Sequence, residues 1–455
     1  MAAVKDFGAA GDGAADDTDA LQQAADDGAP LELGSGTFRI TKPIVLDTTK
    51  HGYTAVHGAH GTSRIVMAGP GPALQVVGDH RGTADPASFE QHTWDRERFP
   101  LLSGFEVLGD HEQADGIQLL RTMQCTIRNV LVRKCRYGIH LVERNRNFIL
   151  ADTHIYDCAD TGLFLDHVSL HQTNIYGNHI SYCKRAGIRQ LNGDVHNIQI
   201  TGNDIEYNFG WPEGNSGEIL LEVPESGLIS EYTIASNTIQ AKPEARGANL
   251  FIQGRALQDI PYCISEVAVT GNVIGSRDQS IFIADGALQV AITGNTIYGG
   301  SASNVHVRNS TGVLIGSNGI LPMGRIAYRS KPKGGIWLEN CADCLINGNI
   351  INDHAFGDQH RGGSVTLDRC RDVTLTGCQI HRPTSRGVYI NHGVRCVVSQ
   401  NTITDARDAT TMLAAIEVAG ASQSNVIQHN TLTTGTRSAV VCHESHGVVV
   451  NNLVL

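Results

Sequence analysis

A single right-handed parallel β-helix, closed at its N-terminal end by a short capping helix, is the fold this sequence predicts. Three observations predict it. An Asn-centred phrase recurs along the chain, short strands of period-two alternation surround each copy, and Gly is abundant (50) while Pro is rare (13). Self-similarity at a coil-length period marks a repeat architecture, in which each added coil extends one core. The phrase reads YGNHI at Tyr176–Ile180, TGNDI at Thr201–Ile205, ASNTI at Ala235–Ile239 and TGNVI at Thr270–Ile274. It returns as TGNTI at Thr293–Ile297, NGNII at Asn347–Ile351, SQNTI at Ser399–Ile403 and QHNTL at Gln428–Leu432. Several gaps between its Asn residues lie between 22 and 35 residues, the length of one coil of three short strands and their turns. Asn is expected at the bend because it tolerates the left-handed conformation and its amide can bond to the Asn of the next coil.

Each coil then repeats a bend, an I-x-x-N strand, a turn and a G-I-x-L strand, with strands of three to five residues in parallel register about 4.8 Å apart. Before the coils, Asp16-Asp17-Thr18-Asp19 leads into ALQQAADDG, where Asp17 or Thr18 is expected to cap a helix of two to three turns. That helix is expected to cover the first coil, shielding a sheet edge. The chain is therefore read as one domain, 1–455, with a cap over about 1–30 and coils over 31–455. NNLVL at the C-terminus shows no comparable cap.

The 455 residues carry 35 basic and 46 acidic side chains, a formal net charge of −11. No run of Lys or Arg interleaved with aromatics appears, so no nucleic-acid partner is expected. No apolar stretch approaches the roughly 18 residues needed to cross a membrane. MAAVKDFGAAG lacks a secretory pattern, so the expected compartment is cytoplasmic unless a leader was removed from a secreted protein. Of 11 Cys, Cys341 and Cys344 form the one CxxC. With no second pair or local His, they read as small buried hydrophobes, and Cys135, Cys158 and Cys183 read as a stacked interior ladder.

VKDFGAAGDGAADDTDALQQA (Val4–Ala24) resembles the opening of the pectate-lyase superfamily of β-helices. The resemblance implies a carbohydrate-active protein whose partner is a poly- or oligosaccharide, in a group that includes hydrolases, lyases, C5-epimerases, cyclising fructotransferases and phage tailspikes. It also raises a homotrimer as a candidate assembly. The G-H-G and R-I-K phrases of polygalacturonases are missing here, as is the W-I-D-H of pectate lyases. The D-P-H of alginate epimerases has only a poor counterpart in GDQHRGG (Gly357–Gly363).

In such folds the ligand lies along the outer face of the G-I-x-L strands, and alternation assigns two outer columns. One contains His140, Phe164, Arg189, Leu220, Phe251, Phe282, His306, Trp337, Thr366, Tyr389 and Glu417. The other contains Val142, Asp166, Leu191, Glu222, Gln253, Ala284, Arg308, Glu339, Asp368 and Asn391. Aromatic faces stack on sugars, and Arg and carboxylates bond to hydroxyls or uronates. Trp337, Tyr389, Arg308, His306, Phe251, Gln253 and His360 are therefore candidate substrate contacts. Two clusters are candidate catalytic groups: Asp166, Arg189, Glu218 and Glu222 over successive coils, and Glu339 with Asp368 on adjacent coils. Paired carboxylates suit a glycoside hydrolase or a transferase of fructotransferase type. The alternatives are elimination or C5-epimerisation of uronates, with Ca²⁺ entering only in the lyase case, or a non-enzymatic, tailspike-like glycan binder. No other cofactor or metal is expected.

Overall fold

The computed structural model describes residues 2–52, 54–82, 84–255, 262–322 and 334–455. Strands make up 55% of the chain and pair in parallel, giving the right-handed parallel β-helix that the repeat predicts. The chain divides into two units, Met1–Thr233 and Ile234–Leu455.

In the first unit the helix Thr18–Asp26 buries Leu21, Ala24 and Ala25. It is tied to the strand Ile44–Asp47 through Gln22, which donates to the Val45 carbonyl (3.1 Å) and accepts from the Val45 N–H (2.9 Å). Asp17 is at the N-cap position, but its side chain does not cap. Its carboxylate instead accepts from the Ala10 and Gly11 N–H groups (2.6 and 3.1 Å), fixing the preceding loop. Asp16 accepts from the Thr18 N–H at 3.0 Å.

The Asn phrase forms a buried amide ladder in each unit. In the first, Thr153, Asn178 and Asn203 follow one another, the Asn178 amide donating to Asn203 Oδ1 at 3.0 Å. In the second, Asn237, Asn272, Asn295, Asn318 and Asn349 are linked by amide bonds of 3.0 Å at every step. Cys378 then takes the Asn position, and the ladder resumes through Asn401, Asn430 and Asn452. That cysteine, together with Asn318 in a Ser-Asn-Gly-Ile context, accounts for the two long gaps in the sequence pattern. One expectation is corrected: the left-handed backbone does not fall on the ladder Asn. It falls on the residue before it, as at Gly177 (φ 67), Ser236 (φ 57), Gly294 (φ 66) and Gln400 (φ 57). The preceding residue makes the bend, which frees each Asn to point inward.

Asn295 is 2% exposed, donates to the Val269 carbonyl (2.9 Å) and accepts from both the N–H and the amide of Asn272 (3.0 Å each). Asn295→Ala strands those groups in the interior. It is expected to cost roughly 1–3 kcal/mol in chemical denaturation, and an unchanged midpoint would show that the ladder contributes nothing.

All eleven Cys are free, and all but the half-buried Cys442 are buried, including Cys341 and Cys344 of the CxxC. Burial pushes the Cys135 thiol well above its ordinary range, as expected of interior packing rather than a reactive site.

Candidate functional site

In the first unit the strands Tyr137–Arg146, Thr161–Tyr176, Ala186–Leu191 and Gly217–Glu222 pair in the register expected. His140, Phe164, Arg189 and Leu220 stand in one column, and Val142, Asp166, Leu191 and Glu222 in the next. His140, Phe164, Arg189 and Glu222 are each less than a tenth exposed, so this outward face is sheltered rather than bathed in solvent.

A hydrogen-bond chain crosses the face. Gln75 donates to Gln118 (2.6 Å), whose amide meets His140 Nδ1 at 3.3 Å. His140 Nε2 is 3.0 Å from Asp166, and His167 Nδ1 holds the other Asp166 oxygen at 2.7 Å. Burial raises the Asp166 carboxyl, but the bonds from His140 and His167 outweigh it and hold the group below its ordinary value. Asp166 is thus an ionised partner that fixes His140 with Nε2 as donor and leaves Nδ1 as the basic atom.

Around this pair, Tyr137 packs against His140 and Phe164 with centroids 4.9 and 5.0 Å apart. Burial, reinforced by Asp160, pushes its phenol upward, so it remains protonated. Arg189 lies over the Phe164 ring at 5.0 Å and donates to Glu222 at 3.3 Å, while Asn215 donates to the other Glu222 oxygen at 2.8 Å. Arg185 lies over Trp211 at 5.1 Å, and its buried Nε has no hydrogen-bond partner among the described residues. Burial and the neighbouring Arg189 both act against its charge.

Glu218 is a correction. It occupies the strand position held by Gly138, Gly162 and Gly187 in earlier coils, and it is fully buried. Its carboxylate accepts from the Asn208 N–H and amide (3.1 and 2.5 Å), completing an interior turn. It is a structural group, not an outward catalytic one. Tyr137 and Arg185 were missed because each lies at or before a strand start, where alternation assigns no face.

In the second unit the columns again pair as expected: Phe251, Phe282, His306, Trp337, Thr366, Tyr389 and Glu417 in one, and Gln253, Ala284, Arg308, Glu339, Asp368 and Asn391 in the other. The aromatic members pack on one another. Phe251 meets Phe282 (5.0 Å), Phe282 meets His306 (5.0 Å), and His306 stacks on Trp337 at 4.1 Å and 2°. The expectation of ring faces offered to a sugar is corrected to this extent, because each ring covers its neighbour. Glu339 and Asp368 are in register on adjacent strands, as predicted, but Arg369 bridges them at 2.7 and 2.8 Å. Asp368 also accepts from Asn391 at 2.8 Å. Arg308 pairs with Asp285 at 2.9 Å, and Gln253 is half-buried. Tyr389 bonds to the His360 carbonyl at 3.5 Å, so His360 contributes backbone while its side chain is exposed.

Burial, with Arg308, lowers His306 to about 4, and burial alone brings His354 to about 4. His306 Nε2 stands 3.5 Å from Glu339 without hydrogen-bond geometry, and His354 Nε2 is 3.0 Å from the Ile320 carbonyl. The unfolded chain takes up these protons below the ordinary histidine value while the folded chain does not. Stability is therefore expected to fall as pH drops from about 6.5 to about 4, by about 1.4 kcal/mol per pH unit for each group. Denaturation midpoints across that range check this, and His354→Gln should flatten the slope. An unaltered slope would contradict the assignment.

The sheltered columns, the amide ladders and the helix over the first coil define a right-handed parallel β-helix protein, the class that the N-terminal phrase resembles. Residues 328–455 match the family described as right handed beta helix region, and residues 103–255 match the family described as periplasmic copper-binding protein (NosD). The comparison with curated proteins gave no match. Among solved structures, the pre-mature bacteriophage phi29 gene product 12 is similar at 14% identity and TM-score 0.52, over 95% of this chain and 64% of that one. The mannuronan C-5 epimerase AlgE4 A-module of Azotobacter vinelandii aligns at 15% identity and TM-score 0.40, over 98% and 99% of the two chains. DFA-IIIase from Arthrobacter chlorophenolicus A6 aligns at 13% and 0.40, over 99% and 97%. At these identities the likeness is one of fold.

Copper does not fit the span 103–255. Among the described residues, no three His, Cys, Asp or Glu ligand atoms converge there, and Cys125, Cys135, Cys158 and Cys183 are interior. No described helix is long and apolar enough to cross a membrane.

Proposed function

We propose that the chain is a carbohydrate-active enzyme acting on a uronate-containing poly- or oligosaccharide at the His140–Asp166–Arg189 face, by removing the proton next to the sugar carboxylate. The observation that carries this reading is Arg185, a half-buried guanidinium beside Arg189 whose Nε lacks a partner among the described residues. Two adjacent guanidiniums favour an anion, and a planar carboxylate matches their geometry. The net charge of −11 opposes polyanions at long range, and because Arg189 already pairs with Glu222, Arg185 is the cation on this face proposed to meet the ligand carboxylate.

In the proposed reaction Arg185, beside Arg189, holds the carboxylate and stabilises charge that develops on it. His140 Nδ1 takes the C5 proton, displacing the long contact from Gln118, and Asp166 stabilises the imidazolium. The electron pair moves into the carboxylate system. Tyr137 then either protonates O4 as the C4–O4 bond breaks, giving an unsaturated uronide, or protonates C5 from the opposite face, giving the epimer. Trp211, against which Arg185 lies, offers an aromatic platform for the sugar. An extracytoplasmic setting is part of the proposal, because such polysaccharides lie outside the cell and the matched NosD family is described as periplasmic.

The paired-carboxylate reading rests on Glu339 and Asp368 being in register. Arg369 bridges both carboxylates, so neither stands free to meet a glycosidic oxygen or an anomeric carbon as that chemistry requires. Incubation with neutral and uronate polysaccharides, with and without Ca²⁺ or chelator, separates the readings. An unsaturated or epimerised uronate supports the proposal. New reducing ends without either product, lost in Glu339→Gln and Asp368→Asn variants, would transfer the chemistry to the second unit.

A further inference from the structure

We infer that Asp79, His92 and Glu97 form a Zn²⁺ site that fastens the connection leading from the strand Gly71–Val77 to the strand Leu101–Ser103. One ligand atom from each residue lies within 4.8 Å of the others. His92 and Glu97 are five positions apart, a spacing that an α-helix does not align. A π-helical turn, Thr93–Glu97, closed by the Arg98 N–H on the Thr93 carbonyl (3.0 Å), brings them to one side. Such turns are rare and occur mostly at functional sites.

The His92 imidazole lies between two carboxylates. His92 Nδ1 is 3.2 Å from Glu90, while Nε2 faces Asp79 at 2.9 Å. In the metal-free chain Nε2–H donates to Asp79 Oδ1, and Zn²⁺ binding would displace that proton to solvent, with Glu90 left behind the ring on the Nδ1 side. Glu97 is 2% exposed, and its Oε2 accepts from the Asp79 N–H at 3.1 Å. That oxygen comes within 2.9 Å of where a Cβ on residue 78 would stand, so Gly78 admits it. Three carboxylates around one imidazole, one of them buried, repel one another unless a cation or a shared proton lies among them, and Zn²⁺ would take the proton's place. One nitrogen and two oxygens suit Zn²⁺ better than Ca²⁺, which prefers an all-oxygen shell. The half-exposed Asp79 and His92 leave a path for the ion and for a completing water.

The site is braced independently of any metal. Arg146 donates to the Ala84 and Asp85 carbonyls and to Ser88, and lies over Phe89 at 3.9 Å. Phe89 in turn stacks on Trp94 at 5.0 Å. Ligand loss should therefore abolish metal uptake without unfolding the unit.

The test uses the full chain, stripped with chelator and titrated with ZnCl₂ by calorimetry, with metal content measured after gel filtration. The expected result is one Zn²⁺ per chain, a melting temperature raised by about 2 °C or more at 100-fold excess over Kd, and protection from proteolysis between Pro86 and Arg98. His92→Gln and Asp79→Asn should each weaken uptake by about 100-fold or more, while their metal-free melting temperatures stay at the stripped wild-type value. No stoichiometric uptake by the wild type, uptake undiminished in both variants, or preference for CaCl₂ over ZnCl₂ would each overturn the assignment.

Discussion

His140→Ala is expected to lower turnover of a polyuronate by about two to four orders of magnitude, the range for removal of a positioned general base, with the melting temperature little changed. The side chain faces outward from its strand, and its ring contacts are Tyr137 and Phe164 on the same face. Its loss therefore opens the site rather than the coil interior. Asp166→Asn tests the positioning role separately. It keeps the volume but removes the charge that stabilises the imidazolium, so kcat should fall while KM changes little. Arg185→Ala should instead act mainly on KM, because that side chain is proposed to hold substrate. Glu339→Gln and Asp368→Asn should leave turnover near the wild-type value.

The second large effect concerns stability. Arg386 is fully buried. It donates to Glu417 at 2.6 Å, to the Asp358 and Gly362 carbonyls through Nη1 and to the Gln359 carbonyl through Nη2, with its guanidinium over Tyr389 at 5.0 Å. It therefore holds the turn before the strand Val365–Asp368 against the outer face and neutralises a nearly buried carboxylate. Arg386→Ala leaves Glu417 with Arg437 at 3.7 Å as its remaining cation among the described residues. It is expected to destabilise the second unit by about 3–5 kcal/mol. Replacing both partners, Arg386→Leu with Glu417→Leu, should recover much of that loss, because no charge is then left unpaired. A single variant as stable as the wild type in denaturant would show that the pair is solvated and that the turn is held by other contacts.

Much of this molecule is legible in its sequence, and the limits of legibility are physical. Period-two alternation places His140 above Phe164 and Glu339 above Asp368 without ambiguity, since a slip of one residue would turn Ile139 and Leu141 outward. The Asn phrase marks the interior bend wherever the residue is Asn, and fails at Cys378, where a thiol of similar size takes the place. What alternation cannot supply is what turn residues do. Arg369, Arg185 and Arg386 sit in turns or at strand starts, yet each decides the electrostatics of its neighbours. Arg369 turns an expected acid pair into a neutralised triad, and an alternating pattern does not distinguish it from a solvated turn residue. Glu218 misleads for a related reason, because at a coil corner the side chain runs inward. Asp79, His92 and Glu97 show no recognisable spacing, since a π-helical turn brings the last two together.

The face around His140 is proposed to remove a proton next to a uronate carboxylate, and hydrogen exchange measures that step whether elimination or epimerisation follows. The polysaccharide panel would be incubated with the enzyme in D₂O, and C5 deuterium in recovered sugars followed by NMR alongside unsaturated product. Wild-type protein is expected to give deuterium at C5 or a C4–C5 double bond, and His140→Ala neither. Glycosidic cleavage with every C5 proton retained, undiminished in His140→Ala, would contradict it.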